Sequence, residues 1–146
     1  MSAETPPRNV LRPGGHVTDW GRMRSAQVRF IATPTTEQEL AEVMRDAARR
    51  KLKVSLRGVG HSAGGQSFTP DGIMIDLREL NRLLELDPGR KTVRVQSGAT
   101  WKVLTDVLEP HRLAITTKQE FEIFTVGGSV AANVHGKSVD YGPLIE

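Results

Sequence analysis

The succession of elements in this 146-residue chain predicts a fold in which strands alternate with helices, either α/β or α+β. Three observations carry that expectation. A strand-like alternation at Val28, Phe30 and Ala32 is followed by an amphipathic helical run and then by a second apolar strand, Val54 to Leu56. That strand runs straight into a glycine-rich stretch, Leu56 to Ser67 (LRGVGHSAGGQS), the place where sheets of this class bind ligands. A second glycine-rich stretch, Thr125 to Gly136 (TVGGSVAANVHG), opens on a glycine pair followed by small, helix-compatible residues.

Each element has a local reason. Pro34 ends the first strand. Thr36 and Glu39 stand at capping-box spacing, and Leu40, Val43, Met44, Ala47 and Ala48 form the apolar stripe of the clearest helix. The basic cluster Arg49, Arg50, Lys51 and Lys53 falls at its carboxyl end, where cations suit the helix dipole. Gly72 to Leu77 reads as a buried strand, and Leu80 to Leu86 as a turn and another strand. Asp87-Pro88-Gly89 is a turn signal that predicts a hairpin with Thr92 to Gln96. After a break at Ser97-Gly98-Ala99, Trp101, Leu104, Val107 and Leu108 line one face of a helix that Pro110 ends.

The two glycine-rich stretches are the candidate site. Gly58, Gly60, Gly64 and Gly65 surround His61, and glycine serves where the backbone takes positive φ or approaches a ligand closely. Successive free N–H groups in such a turn form an anion-binding concavity, so the loop reads as a phosphate cradle holding one reactive side chain. Gly127-Gly128 at a helix start offers free N–H groups in the same way. Two such elements point to one extended, multiply charged ligand.

Composition sets the outer limits. A hydrophobic fraction of 38% and a charged fraction of 25% are those of a soluble globular protein. With no cysteine there is no disulfide or thiolate site, and the four histidines are not spaced as metal ligands, so no metal is expected. His16 and His111 read as ordinary surface residues. The net charge of +3 comes from scattered basic residues, and one Tyr, two Trp and four Phe make no stacking platform, which argues against a nucleic-acid partner. No segment is long and apolar enough for a membrane span. The N-terminal residues lack the apolar centre of a signal peptide, so residues 1–18 read as a loose lead-in and the expected location is cytoplasmic.

RGVGHSAGGQS, GIMIDLRELN, VQSGATW, FTVGGSVAANVHG and YGPLIE, taken in order and spacing, resemble the FAD-binding domain of the vanillyl-alcohol oxidase or PCMH-type flavoprotein superfamily. Cytokinin dehydrogenases, aldonolactone and alditol oxidases and decaprenylphosphoryl-ribose oxidases are the members it most looks like. The resemblance covers the chain from about Asp19 onward. It implies an α+β fold of the FAD-binding PCMH type, with two subdomains holding FAD between them and a separate substrate domain. On that pattern residues 19–95 are the first subdomain and residues 96–146 the start of a second, incomplete one, making the chain an N-terminal fragment.

The same resemblance assigns residues. Arg57, Gly58, Val59, Gly60, His61, Ser62, Ala63, Gly64, Gly65, Gln66 and Ser67 correspond to the loop that wraps the FAD pyrophosphate. His61 falls where many members bond the flavin covalently, whereas the ribose-oxidase type has another residue there and holds FAD without a bond. Glu120, Thr125, Val126, Gly127 and Gly128 match the second cofactor segment, with Glu120 departing from the Asp or Gly of relatives. His135, Gly136, Lys137 and Ser138 resemble the HGKN stretch beside the flavin, with Ser138 in place of Asn. His135 and Lys137 are therefore the catalytic candidates, although a helix-capping histidine and a solvated lysine would read the same way in sequence.

The implied function is hydride removal from a CH–OH carbon of a sugar, polyol or lactone by FAD, with electrons passed to dioxygen or another acceptor. The alternative is a non-catalytic chain that binds FAD or only its adenine nucleotide half. The final run, Val139 to Glu146, stops on what looks like the first residues of a new strand. A chain stopping there is expected to leave an uncovered apolar face around Trp101, Leu104, Val107 and Val130.

Overall fold

In the computed structural model, which describes residues 10–137 and 140–144, the chain divides into two compact units, Met1–Glu79 and Leu80–Glu146. The division falls ahead of the expected boundary at 95/96. The reason is the hairpin of residues 83–95, whose Val93 and Val95 pack on Ala99, Trp101 and Leu104 and so belong to the second core.

In the first unit the strands are β1 (Leu11–Pro13), β2 (His16–Thr18), β3 (Ser25–Gln27) and β4 (Phe30–Ala32), followed by helix α1 (Glu37–Arg49), β5 (Val54–Arg57) and β6 (Ile73–Asp76). A four-stranded sheet has the order β1-β4-β6-β5, with β1 antiparallel to β4 and the other three parallel. Strand β6, buried at every position, sits between β4 and β5, so α1 carries the chain from β4 across to the far edge. On one face Val43 and Ala47 of α1 pack on Ala32, Ile73 and Ile75. On the other, Val28, Ile31 and Met74 are covered by Val17 and Phe68.

Residues 10–18 of the region read as a loose lead-in carry two strands. β1 is the edge of the main sheet, and β2 pairs with β3 as a separate hairpin. Strands of three residues have too short an alternation to show in sequence.

Helix α1 forms for the reason its sequence advertises. Thr36 Oγ1 accepts the Glu39 N–H at 3.1 Å, and Glu39 Oε2 accepts the N–H groups of Thr35 (2.7 Å) and Thr36 (3.3 Å) and the Thr35 hydroxyl (2.9 Å). At the other end Lys51 takes a positive φ of 54° and Leu52 N–H returns to the Ala47 carbonyl, a Schellman-type stop without glycine. The apolar stripe is narrower than expected. Met44 and Ala48 are exposed, and the buried position beside Ala47 is Asp46, ion-paired to Arg49 (3.2 Å) and Arg50 (3.1 Å).

The second unit holds the β7 (Leu83–Asp87) and β8 (Thr92–Val95) hairpin, helix α2 (Trp101–Leu108), one 3-10 turn (Glu109–His111) and helix α3 (Val126–Ala131). α2 stops at Leu108, two residues before Pro110, which sits inside the 3-10 turn. The apolar face expected to be uncovered is covered. Trp101 and Leu104 are buried against Val93, Val95, Ile115, Phe124, Val126 and Leu144; Val107 is half-buried and only Val130 is exposed. Residues 138, 139, 145 and 146 lie outside the described residues, and with them the end of the run on which a new strand is expected to begin. Asp140 to Leu144 hold no strand, and the Leu144 N–H donates to the Val134 carbonyl at 3.0 Å.

The donors around Glu39, the Thr35 N–H first, hold its carboxyl below the ordinary carboxylate value. A depressed folded value stabilises above the ordinary carboxylate range, and that contribution is lost as pH falls through the depressed value. Thermal unfolding should therefore show Thr36→Ala destabilised by about 1 kcal/mol at neutral pH. The stability deficit of Glu39→Gln should narrow as the pH is lowered below the ordinary carboxylate range. A deficit that widens in acid would contradict this assignment.

Candidate functional site

The site in the first unit begins where a parallel strand pair stops. Arg57 at the end of β5 lies opposite Asp76 of β6, and the Leu77 N–H donates to the Arg57 carbonyl at 2.9 Å, the last rung of the ladder. Residues 58–67 then run as irregular backbone with Gly60 at φ +79° and Gly65 at φ +78°, left-handed geometry that L side chains resist. Three interactions hold the loop's shape. The Gln66 Oε1 accepts the Gly64 N–H at 3.0 Å, the Phe68 N–H reaches the Gly65 carbonyl at 3.4 Å, and the Ser62 carbonyl accepts the Trp20 N–H at 3.4 Å.

What remains in the loop is a set of donors. The N–H groups of Gly58, Val59 and Gly60 meet no acceptor among the described residues, nor do those of Ser62 and Ala63. Ser67 is 5% exposed and its Oγ has no partner. The half-buried Arg57 guanidinium lies under the Gly60 turn. A Cβ built at Gly60 would stand 2.6 Å from its Nη2, and its Nη1 contacts only the Met74 sulfur at 4.0 Å, with no carboxylate partner among the described residues. Backbone amides, a hydroxyl and an uncommitted guanidinium, with no carboxylate in the loop itself, fit a diphosphate. His61 is exposed at the loop's outer face, its ring stacked on Trp20.

The second unit gathers the remaining candidates. Helix α3 starts at Val126 with Gly127 and Gly128 in its first turn. The Val126 and Gly127 N–H groups are already engaged, by the Ala99 carbonyl (2.8 Å) and the Ser97 carbonyl (2.9 Å), while the Gly128 N–H has no described acceptor. A Cβ at Gly127 would meet Ser97 Cβ at 2.6 Å, so glycine here is required by backbone packing. Thr125 is buried, and Val126 turns its side chain into the core. Ser129 anchors the helix: its Oγ accepts the Trp101 Nε1–H at 3.0 Å and shares its proton between Gln119 Oε1 and the Thr125 carbonyl.

Asn133 at φ +44° then reverses the chain after α3, with Val134 N–H returning to the Ser129 carbonyl. That reversal lays residues 135–137 beside residues 118–120. A Cβ at Gly136 would stand 2.9 Å from the Lys118 carbonyl oxygen, and Lys137 Nζ donates to Glu120 Oε1 at 2.6 Å. His135 is exposed, with Nδ1 3.0 Å from the Gly136 carbonyl. Exposed Glu120, His135 and Lys137 thus form one patch around half-buried Gly136, and Glu120 is the counter-ion of Lys137. Ser138 lies outside the described residues. Among the described residues no cluster of side chains has the makings of a metal site, and no helix is long and apolar enough to cross a membrane. Sequence reasoning missed Trp20, which reaches the glycine loop from the β2–β3 turn; residues 16–27 carry no periodicity that would announce that hairpin.

A glycine-lined donor loop at the carboxyl end of a parallel strand fits the diphosphate of a nucleotide. Comparison with known proteins makes this specific: residues 28–146 match the family model described as an FAD binding domain, and the chain belongs to that family. It is 35% identical over 127 residues to L-gulono-1,4-lactone dehydrogenase of Mycobacterium tuberculosis, covering 87% of this chain and 29% of that protein. It is 31% identical over 134 residues to alditol oxidase of a Streptomyces species, covering 88% and 30%. Cholesterol oxidase from B. sterolicum shares the fold with a TM-score of 0.76 at 19% identity, over 93% of this chain and 27% of that one. The chain spans less than a third of the length of these relatives. The fold is the α+β, PCMH-type one that the motifs implied, and the cofactor is FAD.

Gly60 and Gly127 should fail differently when substituted. Gly60→Val strains a left-handed position and drives a side chain into the Arg57 guanidinium, so the rise in unfolding midpoint that FAD gives the wild-type chain should vanish. Gly127→Ala should destabilise the chain without FAD by about 1–3 kcal/mol, seen as a lower midpoint, as α3 is pushed off Ser97. An undiminished FAD-dependent rise in Gly60→Val would count against the cradle.

Proposed function

We propose that the chain is the FAD-holding part of an oxidoreductase that takes a hydride from a CH–OH carbon of a sugar-lactone or polyol substrate and passes the electrons to dioxygen or another acceptor. The observation that carries the reading is the run of unpaired N–H groups from Gly58 to Gly60 over the Arg57 guanidinium, within a chain of the FAD-binding family. The names of the relatives, a lactone dehydrogenase and an alditol oxidase, support the substrate class.

Bound FAD supplies the hydride-accepting chemistry. The chain's own residues bind and orient it. The amides of Gly58, Val59 and Gly60 bind the diphosphate, whose charge of about minus two is offset by Arg57. Ser67 Oγ, buried without a partner, gains an acceptor. His61 presents an imidazole nitrogen at the exposed rim of the same loop, and we read it as the residue that links the flavin covalently. Lys137, held by Glu120, and His135 are the polar groups offered beside the second segment, as orienting or catalytic groups.

Acid precipitation of the purified yellow protein should leave flavin absorbance in the pellet. In His61→Ala the pellet should be colourless, while flavin released from that variant's supernatant still shows non-covalent binding. Flavin released wholly by acid from the wild-type protein would rule out the covalent link and leave the binding reading intact.

A further inference from the structure

We propose that Trp20 is the positioning residue of His61: its indole, brought by the β2–β3 turn onto the glycine loop, fixes the imidazole in one orientation. This rests on the reading of His61 as the flavin-linking residue given above. The two ring centroids are 4.5 Å apart with planes inclined by 31°, within the range of an offset aromatic stack. Trp20 is 66% exposed, so burial in a core does not account for a tryptophan at this position. Its main chain is tied to the same loop, the Trp20 N–H reaching the Ser62 carbonyl, one residue beyond His61.

The turn that carries the indole is itself fixed. The hairpin pairs His16 with Gln27, Val17 with Ala26 and Thr18 with Ser25. Asp19, only 3% exposed, closes its tip: its N–H donates to the Arg24 carbonyl (3.0 Å), its carbonyl accepts the Arg22 N–H (3.2 Å), and its Oδ1 accepts the Met23 N–H (2.9 Å). Arg22 completes the reversal at φ +54°. On the far side, Arg24 Cβ lies 3.2 Å from where a Cβ of Gly65 would be, so the tip meets the loop at Ser62, at His61 and at Gly65. Stacking on an indole whose turn is braced against the loop at Ser62 and Gly65 narrows the orientations open to the imidazole before the flavin arrives.

The test uses two readouts on wild type, Trp20→Ala and Trp20→Phe. In the flavin-free chain, the imidazole carbon-bound proton resonances of His61, assigned by their loss in His61→Gln, should be displaced by the indole ring current. They should return to the positions of an unstacked histidine in Trp20→Ala and stay displaced, by less, in Trp20→Phe. In protein purified with flavin, the acid-stable fraction should form about fivefold more slowly in Trp20→Ala, the factor that one aromatic pair contributes, and should recover in Trp20→Phe. Undisplaced His61 resonances in the wild type, or attachment in Trp20→Ala at the wild-type rate, overturn the proposal. If the wild type forms no acid-stable flavin, the covalent reading fails, and the proton resonances alone decide whether Trp20 orients the ring.

Discussion

The site depends on how the chain leaves β5. Arg57 is the last residue held by the parallel ladder, and the next residues must turn away from the sheet edge without using their N–H groups on one another. Positive φ at Gly60 and Gly65 permits that path. A side chain at either would cost of order 1–3 kcal/mol in backbone strain, and at Gly60 it would also strike Arg57. The outcome is a short stretch of backbone whose donors are uncommitted and whose underside carries a positive charge, which is what binding a diphosphate requires.

The rest of the first unit serves that geometry. Buried β6 fixes the height at which β5 ends, α1 covers the face opposite Val28, Ile31 and Met74, and the β2–β3 tip braces the loop through Trp20. In the second unit the same logic is applied by side chains. Ser129 ties α3 to Trp101 and Gln119, and Asn133 turns the chain so that Lys137 meets Glu120. The N–H groups of Val126 and Gly127 at the start of α3 are engaged by residues 97–99, and Gly127 permits the close approach to Ser97.

What could be read from the residues alone was whatever has a local cause. The capping box at Thr36 and Glu39, the buried run of β6, the turn at Asp87-Pro88-Gly89 and the glycine loop each follow from a few neighbouring side chains, and each is present. The ordered motifs likewise made the family legible. What stayed hidden has either a distant cause or too weak a local signal. β1 exists because of its pairing with β4, β2 and β3 are three-residue strands too short to show an alternation, and Asp46 occupies a buried helix position because Arg49 and Arg50 neutralise it, which apolar periodicity does not register. The hairpin of β7 and β8 joins the second unit because Trp101 needs cover, and the contact of Trp20 with His61 joins residues far apart in the sequence, so no local pattern encodes it.

The central claim is that the backbone of residues 58–63 holds the diphosphate, and it is tested most directly by following backbone amide resonances during titration. FAD and ADP should both shift the N–H signals of Gly58, Val59 and Gly60, whereas riboflavin, which lacks phosphate, should leave them in place. Equal shifts with riboflavin, or an unchanged loop at saturating FAD, would contradict the account.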